Sequence, residues 1–330
     1  MIIGHERLTD IVTRMIQGAG SDRAEAEAVA SNLVQANLMG HDSHGVGLAP
    51  RYMKHARAGT MNLGARPTVV SDNGVYLLLD GNMGYGQTVC REATEMAIAR
   101  AKEKGAAIVG LRRTHHMGRI GAWGEMCARA GLISIHYVNT TGHRPYVAPW
   151  GGYEARYSTN PYCTAIPATD KNPMIVLDMA TSRVAQGKVR VAYYAGKKTP
   201  SDALIGADGL PTDDPKVIFE EPYGAMMSFG QHKGYGLAMI CEILAAGITG
   251  GGTARDELMD QETICNNMLI EHVSSSKPAQ GFDKVRFPGD PERETTAERT
   301  ANGIWIDDNT WGEMRRAGLE VGMSEADFAG

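Results

Sequence analysis

The period of the apolar residues changes near residue 65, and that change constrains the fold more than anything else in the chain. Before it, apolar residues recur at helical spacing. Ala26, Val29, Ala30, Leu33 and Ala36 make one helical stripe, which Asp22-Arg23-Ala24-Glu25 opens as a capping sequence and Gly40 closes. Pro50 suits the first turn of a further helix, so residues 41–48 form a joint between two helices. After residue 65, short apolar runs at 75–79, 106–111, 132–138, 164–167 and 174–178 alternate with helical stretches at 87–104, 121–130 and 233–249. Such alternation makes an α/β chain, and by itself suggests a parallel, doubly wound sheet. Residues 285–290 read as a strand and turn, and the remaining tail is polar and helical. A helical domain of residues 1–72 with 290–330, and an α/β domain of residues 73–289, are expected.

Bulk properties narrow the function classes. A length of 330 residues suits two domains. A net charge of −5 argues against a nucleic-acid partner, whose electrostatic footprint is basic. No apolar run approaches the roughly 20 residues of a membrane span. The start, Met1-Ile2-Ile3-Gly4-His5-Glu6, has neither part of a secretory signal. Cys90, Cys127, Cys163, Cys241 and Cys265 are scattered and odd in number, as expected of reduced thiols in a cytoplasmic protein.

Two strings carry the chemistry: Gly40-His41-Asp42-Ser43-His44-Gly45 and Thr114-His115-His116-Met117-Gly118-Arg119-Ile120-Gly121. Imidazole titrates near neutrality and is the usual proton carrier. The surrounding glycines allow close backbone approach. His44 beside the Ser43 hydroxyl suits proton transfer, whereas His116 reads equally as a structural histidine. Asp178, at the end of an apolar run, could orient a histidine or cap a loop. The alternative is a metal-dependent hydrolase built on His41, His44, His115 and His116, although their spacing is not that of a zinc motif. Residues 81–86 place a glycine loop between a strand and a helix, but as G-x-x-G-x-G and without a following acid; an ordinary turn is the better reading.

Taken in order, Ser43-His44-Gly45-Val46-Gly47, His116-Met117-Gly118, Ala148-Pro149-Trp150-Gly151-Gly152, Thr159-Asn160-Pro161, residues 177–182, His232-Lys233-Gly234-Tyr235-Gly236 and Pro288-Gly289 resemble the malate/L-lactate dehydrogenase family of the second type. Ala36-Asn37-Leu38 with residues 40–45, residues 115–121 and Ser134-Ile135-His136 resemble its hydroxycarboxylate dehydrogenase branch in particular. The resemblance implies a non-Rossmann α/β (α+β) fold with a largely antiparallel sheet, and a homodimer whose two chains line the site. It implies NAD or NADP as cofactor, a small 2-hydroxy or 2-oxo acid as substrate, and no metal. It assigns His44, Asp178 and His116 to catalysis, and Ser43, Leu48, Tyr52, Arg119, Thr140 and Thr159 to the substrate. It assigns Gly118, Asn160, Asp178, Met179, Ala180, Thr181, Ser182, His232, Lys233, Gly289, Asp290 and Pro291 to the cofactor. Leu48 stands where many members of the family have an arginine for the substrate carboxylate. Arg119 or Arg144 could replace it, and an apolar Leu48 would suit an aromatic substrate side chain.

Overall fold

The computed structural model describes residues 3–254, 272–287 and 290–302, with scattered residues from 304 to 328. The chain forms two compact units, Met1–Val285 and Arg286–Gly330. Three helices open the first: α1 (His5–Gly18), α2 (Arg23–Leu38) and α3 (Ala49–Arg57). The expected α2 stripe is buried throughout and packs with Val12 and Ile16 of α1 and Tyr52 of α3, except Ala36, which lies outside that cluster. Each large aliphatic side chain buried there stabilises by about 1.5–3 kcal/mol, so the stripe fixes how the helices meet. Asp22 caps α2 by accepting from the Glu25 N–H at 2.8 Å. The Glu25 carboxylate does not close a reciprocal capping box; it accepts from the Gly64 N–H at 3.0 and 3.1 Å and ties the loop before the first strand to α2. Two single 3-10 turns, Asp42–His44 and Val46–Leu48, join α2 to α3, and Pro50 sits in the first turn of α3.

Strands β1 (Thr68–Asn73) and β2 (Tyr76–Asp80) form an antiparallel hairpin around Gly74, whose φ of +75° favours glycine. Helix α4 (Gly86–Lys104) crosses over to β3 (Ile108–Arg112), which runs parallel to β2. Helix α5 (Gly121–Arg129) follows. Then β4 (Ser134–Tyr137), β5 (Tyr162–Ile166) and β6 (Ile175–Met179) make an antiparallel sheet. Past α6 (Gln186–Tyr194), the short strands β7 (Leu204–Ile205), β8 (Pro211–Thr212) and β9 (Ala225–Met226) form a third sheet, also antiparallel. Helix α7 (Lys216–Phe219) lies between β8 and β9, and α8 (His232–Thr249) ends at Gly250 with φ +65°. The architecture is mixed α/β, with three small sheets among the described residues. Among the described residues no doubly wound parallel sheet is formed, because a helical crossover joins β2 to β3 alone there, whereas a short link returns β6 beside β5 in the opposite sense.

Residues 285–287 do not form the expected strand. The Phe287 N–H donates to the Asp290 carboxylate at 2.8 Å and its carbonyl accepts from the Asp290 N–H at 3.0 Å, so the chain turns into α9 (Asp290–Asn302) of the second unit. Residues 288 and 289 lie outside the described residues.

One sheet positions the site. His136, Cys163 and Asp178 lie in one row across β4, β5 and β6. Helix α5 rests on that face because Gly124 has no side chain: a Cβ there would meet Ala165 Cβ at 2.9 Å. The opposite face exposes Ile135, Ile166, Ile175 and Leu177.

Candidate active site

The two histidine strings meet. Asn37, near the end of α2, holds the first: its Nδ2 donates to the Asp42 carboxylate at 2.5 Å and its Oδ1 accepts from the Val46 N–H at 2.8 Å. A Cβ on Gly45 would lie 2.2 Å from that Oδ1, which is why the string needs glycine. From the other side, the first turn of α6 presses on Ser43, where a Cβ on Gly187 would lie 2.5 Å from Ser43 Cβ. Ser43 Oγ lies 3.0 Å from His44 Nδ1, leaving Nε2 as the nitrogen able to face a reactant.

The loop from β3 to α5 carries the second string against the start of α4. A Cβ on Gly86 would lie 2.4 Å from both His116 O and Met117 Cα. The glycines of residues 81–86 thus serve a turn and a close backbone approach, with Asn82 and Met83 at φ +50° and +57°. The rings of His44 and His116 are nearly parallel, 17° apart, with centroids separated by 5.7 Å. His116 Nδ1 lies 2.6 Å from the Tyr52 hydroxyl, to which Gln87 Nε2 donates at 3.1 Å. His115 turns away, its ring 4.9 Å from that of His55. His41 is exposed.

Asp178 Oδ2 accepts from the Gly121 N–H at 2.7 Å, at the N-terminus of α5, where a carboxylate is favoured. Arg119 converges on the same place: a Cβ on Gly121 would lie 2.3 Å from Arg119 Nη1 and 2.9 Å from Asp178 Oδ2. Arg119 Nη2 donates to Glu125 at 2.7 Å, and both side chains are buried. Removing one partner of such a pair costs about 3–5 kcal/mol. Burial pushes the His44 imidazole below its ordinary value; Asp178 opposes that shift, while His41 and Arg119 add to it. Burial and the neighbouring His44 press His116 down to about 3. His136, in the row with Asp178, falls to about 4 through burial.

The cofactor-assigned run beyond β6 is tied to two other segments. Buried Thr181 donates through Oγ1 to the carbonyls of Thr159 and Asn160 at 3.0 and 2.9 Å, and its own carbonyl accepts from the Phe229 N–H at 3.0 Å. Ser182 bridges to Ser228 and spends its hydroxyl on the Val184 carbonyl at 2.8 Å. The structure therefore gathers residues 159–160, 178–182 and 228–233, with His232 and Lys233 exposed at the first turn of α8. Thr181 and Ser182 hold the turn, while Asp178, Met179 and Ala180 are its partly accessible members. Asn160 Nδ2 donates to the buried Glu242 at 2.6 Å, and Asn139, next to Thr140, donates to the same carboxylate at 3.2 Å. Gly118 sits at φ +72° beside Asn32.

Leu48 is 5% exposed and packs with Ala49 and Tyr52 in the helical core rather than lining the site. Arg144 donates to the Ile218 carbonyl at 2.7 Å and lies over the Tyr223 ring. Asp290 opens α9, bonded to Phe287 and Arg293. Gly289 lies outside the described residues, as does the side chain of Pro291. Sequence reasoning missed Asn37, Gln87, Gly121 and Glu125; Gly121, within the second string, was the one visible signal. Among the described residues, no three His, Cys, Asp or Glu side chains are grouped to hold a metal ion, and none of the helices is long and apolar enough to cross a membrane. Cys90, Cys127, Cys163 and Cys241 are free and buried.

A family model described as malate/L-lactate dehydrogenase matches residues 3–267. The chain is 36% identical over 343 residues to hydroxycarboxylate dehydrogenase B of Escherichia coli, covering 97% of this chain and 94% of that one. It is 35% identical over 321 residues to an L-lactate dehydrogenase of Cupriavidus necator, covering 91% and 92%. The solved sulfolactate dehydrogenase of Methanocaldococcus jannaschii aligns over 99% of each chain with a TM-score of 0.68 and 28% identity. These likenesses lend nothing to the hydrolase alternative.

Proposed function

The chain belongs to the malate/L-lactate dehydrogenase family, and from that membership we propose an NAD- or NADP-dependent dehydrogenase interconverting a 2-hydroxy acid and a 2-oxo acid. The observation that carries this reading is the parallel pair His44 and His116, each held through Nδ1, with His44 in the electrostatic field of Asp178. Reduced nicotinamide, when bound, supplies the hydride that adds to the oxo carbon. His44 gives a proton to the oxo oxygen as it becomes a hydroxyl, and takes that proton back in the reverse direction. Acid–base help of this kind is worth about 10²–10⁴-fold. Asp178 supports the protonated imidazole against the effect of burial.

Two features fit a dinucleotide. Asn160 Oδ1 and Ser228 Oγ are buried without a hydrogen-bond partner among the described residues, on either side of the turn at residues 178–182. Lys233 lies in the first turn of α8, where helix dipole and ammonium both favour a phosphate. Residues 178–180, Asn160, His232 and Lys233 would hold the cofactor. The cofactor site of this reading is non-Rossmann; the antiparallel β4–β6 sheet beside these residues and the tight turn made by the glycines after β2 support it.

The substrate carboxylate calls for a cation. Arg119 is engaged by Glu125, and Arg144 by Ile218 and Tyr223. Arg51 makes no hydrogen bond or ion pair with the described residues, shares a face of α3 with His55, and helps depress the imidazoles of His115 and His116. Arg51 is the assigned carboxylate partner, with Ser43, Thr140 and Thr159 around the substrate and Tyr52 buried behind His116. The exposed apolar face of the β4–β6 sheet supports a homodimer, since such patches mark interaction surfaces.

A panel of 2-oxo acids with NADH and NADPH, followed by absorbance of the reduced cofactor, tests the reading. Cofactor oxidation with at least one acid is expected; none with any acid refutes it.

A further inference from the structure

We infer that His116 is a fixed, neutral hydrogen-bond donor, presenting Nε2–H to the substrate oxygen that His44 protonates, and that Tyr52 and Gln87 are positioning residues that set its tautomer. The inference rests on the dehydrogenase reading above and divides the labour of the two imidazoles within it.

The geometry at Nδ1 is the warrant. Two groups converge on it: the Tyr52 hydroxyl at 2.6 Å and the Gly118 N–H at 3.4 Å. A backbone N–H can only donate, so it calls for an acceptor at Nδ1. The hydroxyl alone could act either way, but Gln87 Nε2 donates to its oxygen at 3.1 Å, which directs the phenol proton toward the imidazole. Burial raises the phenol well above its ordinary value, so Tyr52 keeps that proton. A neutral imidazole that accepts at Nδ1 carries its proton on Nε2. That N–H has no protein partner among the described residues.

The surroundings also deny His116 a second proton. Burial acts first, followed by His44 on the facing loop, Arg51 on α3, its own neighbour His115, and His143 on the loop after β4. No carboxylate is among these groups, whereas His44 has Asp178. Asp178 therefore favours a proton on His44, and nothing comparable favours a second proton on His116. With the rings 5.7 Å apart, the oxo oxygen that builds up charge during hydride addition lies beside a donor already in place. A neutral histidine is the right donor for that task, because it polarises the carbonyl without surrendering its proton.

The test combines a spectrum and a rescue. In protein labelled with ¹⁵N-histidine, the His116 signals are assigned by their loss in His116→Gln. The expected result is a protonated Nε2, a bare Nδ1 and no titration between pH 5 and 8. Tyr52→Phe should leave the fold intact, mix the two tautomers and lower kcat by about 2–10-fold, the worth of one hydrogen bond. His116→Ala should lower kcat by about 10²–10³-fold, as loss of one preorganised donor does. His116→Gln, whose amide reaches the same position, should recover most of that loss without moving the pH profile. A His116 protonated on Nδ1, a His116 that titrates in this range, or a pH limb that vanishes in His116→Gln overturns the inference while leaving turnover of 2-oxo acids in place. The spectrum needs no substrate, so absence of turnover with every acid strikes the dehydrogenase reading separately.

Discussion

Gly86→Ala perturbs the contact on which the site depends. The added Cβ would sit 2.4 Å from His116 O and from Met117 Cα, and 2.6 Å from His116 C. These are backbone atoms, so no side-chain rotation relieves the clash. An ordinary contact is at least 3.4 Å, so α4 and the histidine loop must separate by about 1 Å. Gln87 is the next residue on α4 and bonds Tyr52, which bonds His116. The displacement therefore breaks or stretches the link that holds His116. Overpacking of this kind costs about 1–3 kcal/mol, partly offset by the better helix propensity of alanine, up to about 1 kcal/mol. A net loss of about 1–2 kcal/mol should lower Tm by about 2–8 °C, at about 2–4 °C per kcal/mol for a chain of this size. A 1 Å misplacement near the reacting groups can cost about 10²-fold in rate. Thermal unfolding and turnover of the best 2-oxo acid measure the two effects. Gly247→Ala on α8 is the control, because a Cβ there meets nothing within 4 Å; it should stabilise by about 0.5–1 kcal/mol. Wild-type Tm and kcat in Gly86→Ala would show that the close approach does not hold the site.

His44→Ala should lower kcat about 10²–10⁴-fold in both directions, and retention of near-full turnover would refute its role. Asp178→Asn keeps an acceptor for the Gly121 N–H but removes the charge that raises the His44 value. Reduction needs His44 protonated, so the alkaline limb of its kcat profile should move to lower pH; an unchanged limb, or one moved to higher pH, contradicts the assignment. Arg51→Gln should raise KM for the 2-oxo acid about 10-fold or more while leaving KM for the nicotinamide cofactor unchanged, as loss of a charge-assisted hydrogen bond predicts; equal effects on both would remove Arg51 from the carboxylate. Chelation should leave the rate unchanged, and inactivation reversed by added metal would revive the hydrolase alternative.

Much of the architecture is written locally. The α2 stripe needs only the 3.6-residue period, and the Asp22 cap needs only its three following residues. Strand direction was not legible, because it depends on the path each connection takes. The strands of the third sheet are two residues long, too short to show any period. At the site, the two strings announced themselves by histidines crowded among glycines. Asn37, Gln87 and Glu125 are ordinary in the sequence and gain meaning only from what they touch. Leu48 shows the converse, since its place in the string suggested a site wall and packing sends it into the core.

The sequence by itself determined the helical start, the order of elements from β2 to α5 and the two histidine strings on which the proposed chemistry rests. These follow from periods and residue types within a few positions, whereas β1 was not legible. Only the tertiary structure gave the two histidines different surroundings. His44 and His116 have the same titrating ring, and their difference comes from Asp178 near one and from Tyr52, 64 positions away, on the other. An imidazole's proton affinity and tautomer are properties of its surroundings, and folding creates those surroundings.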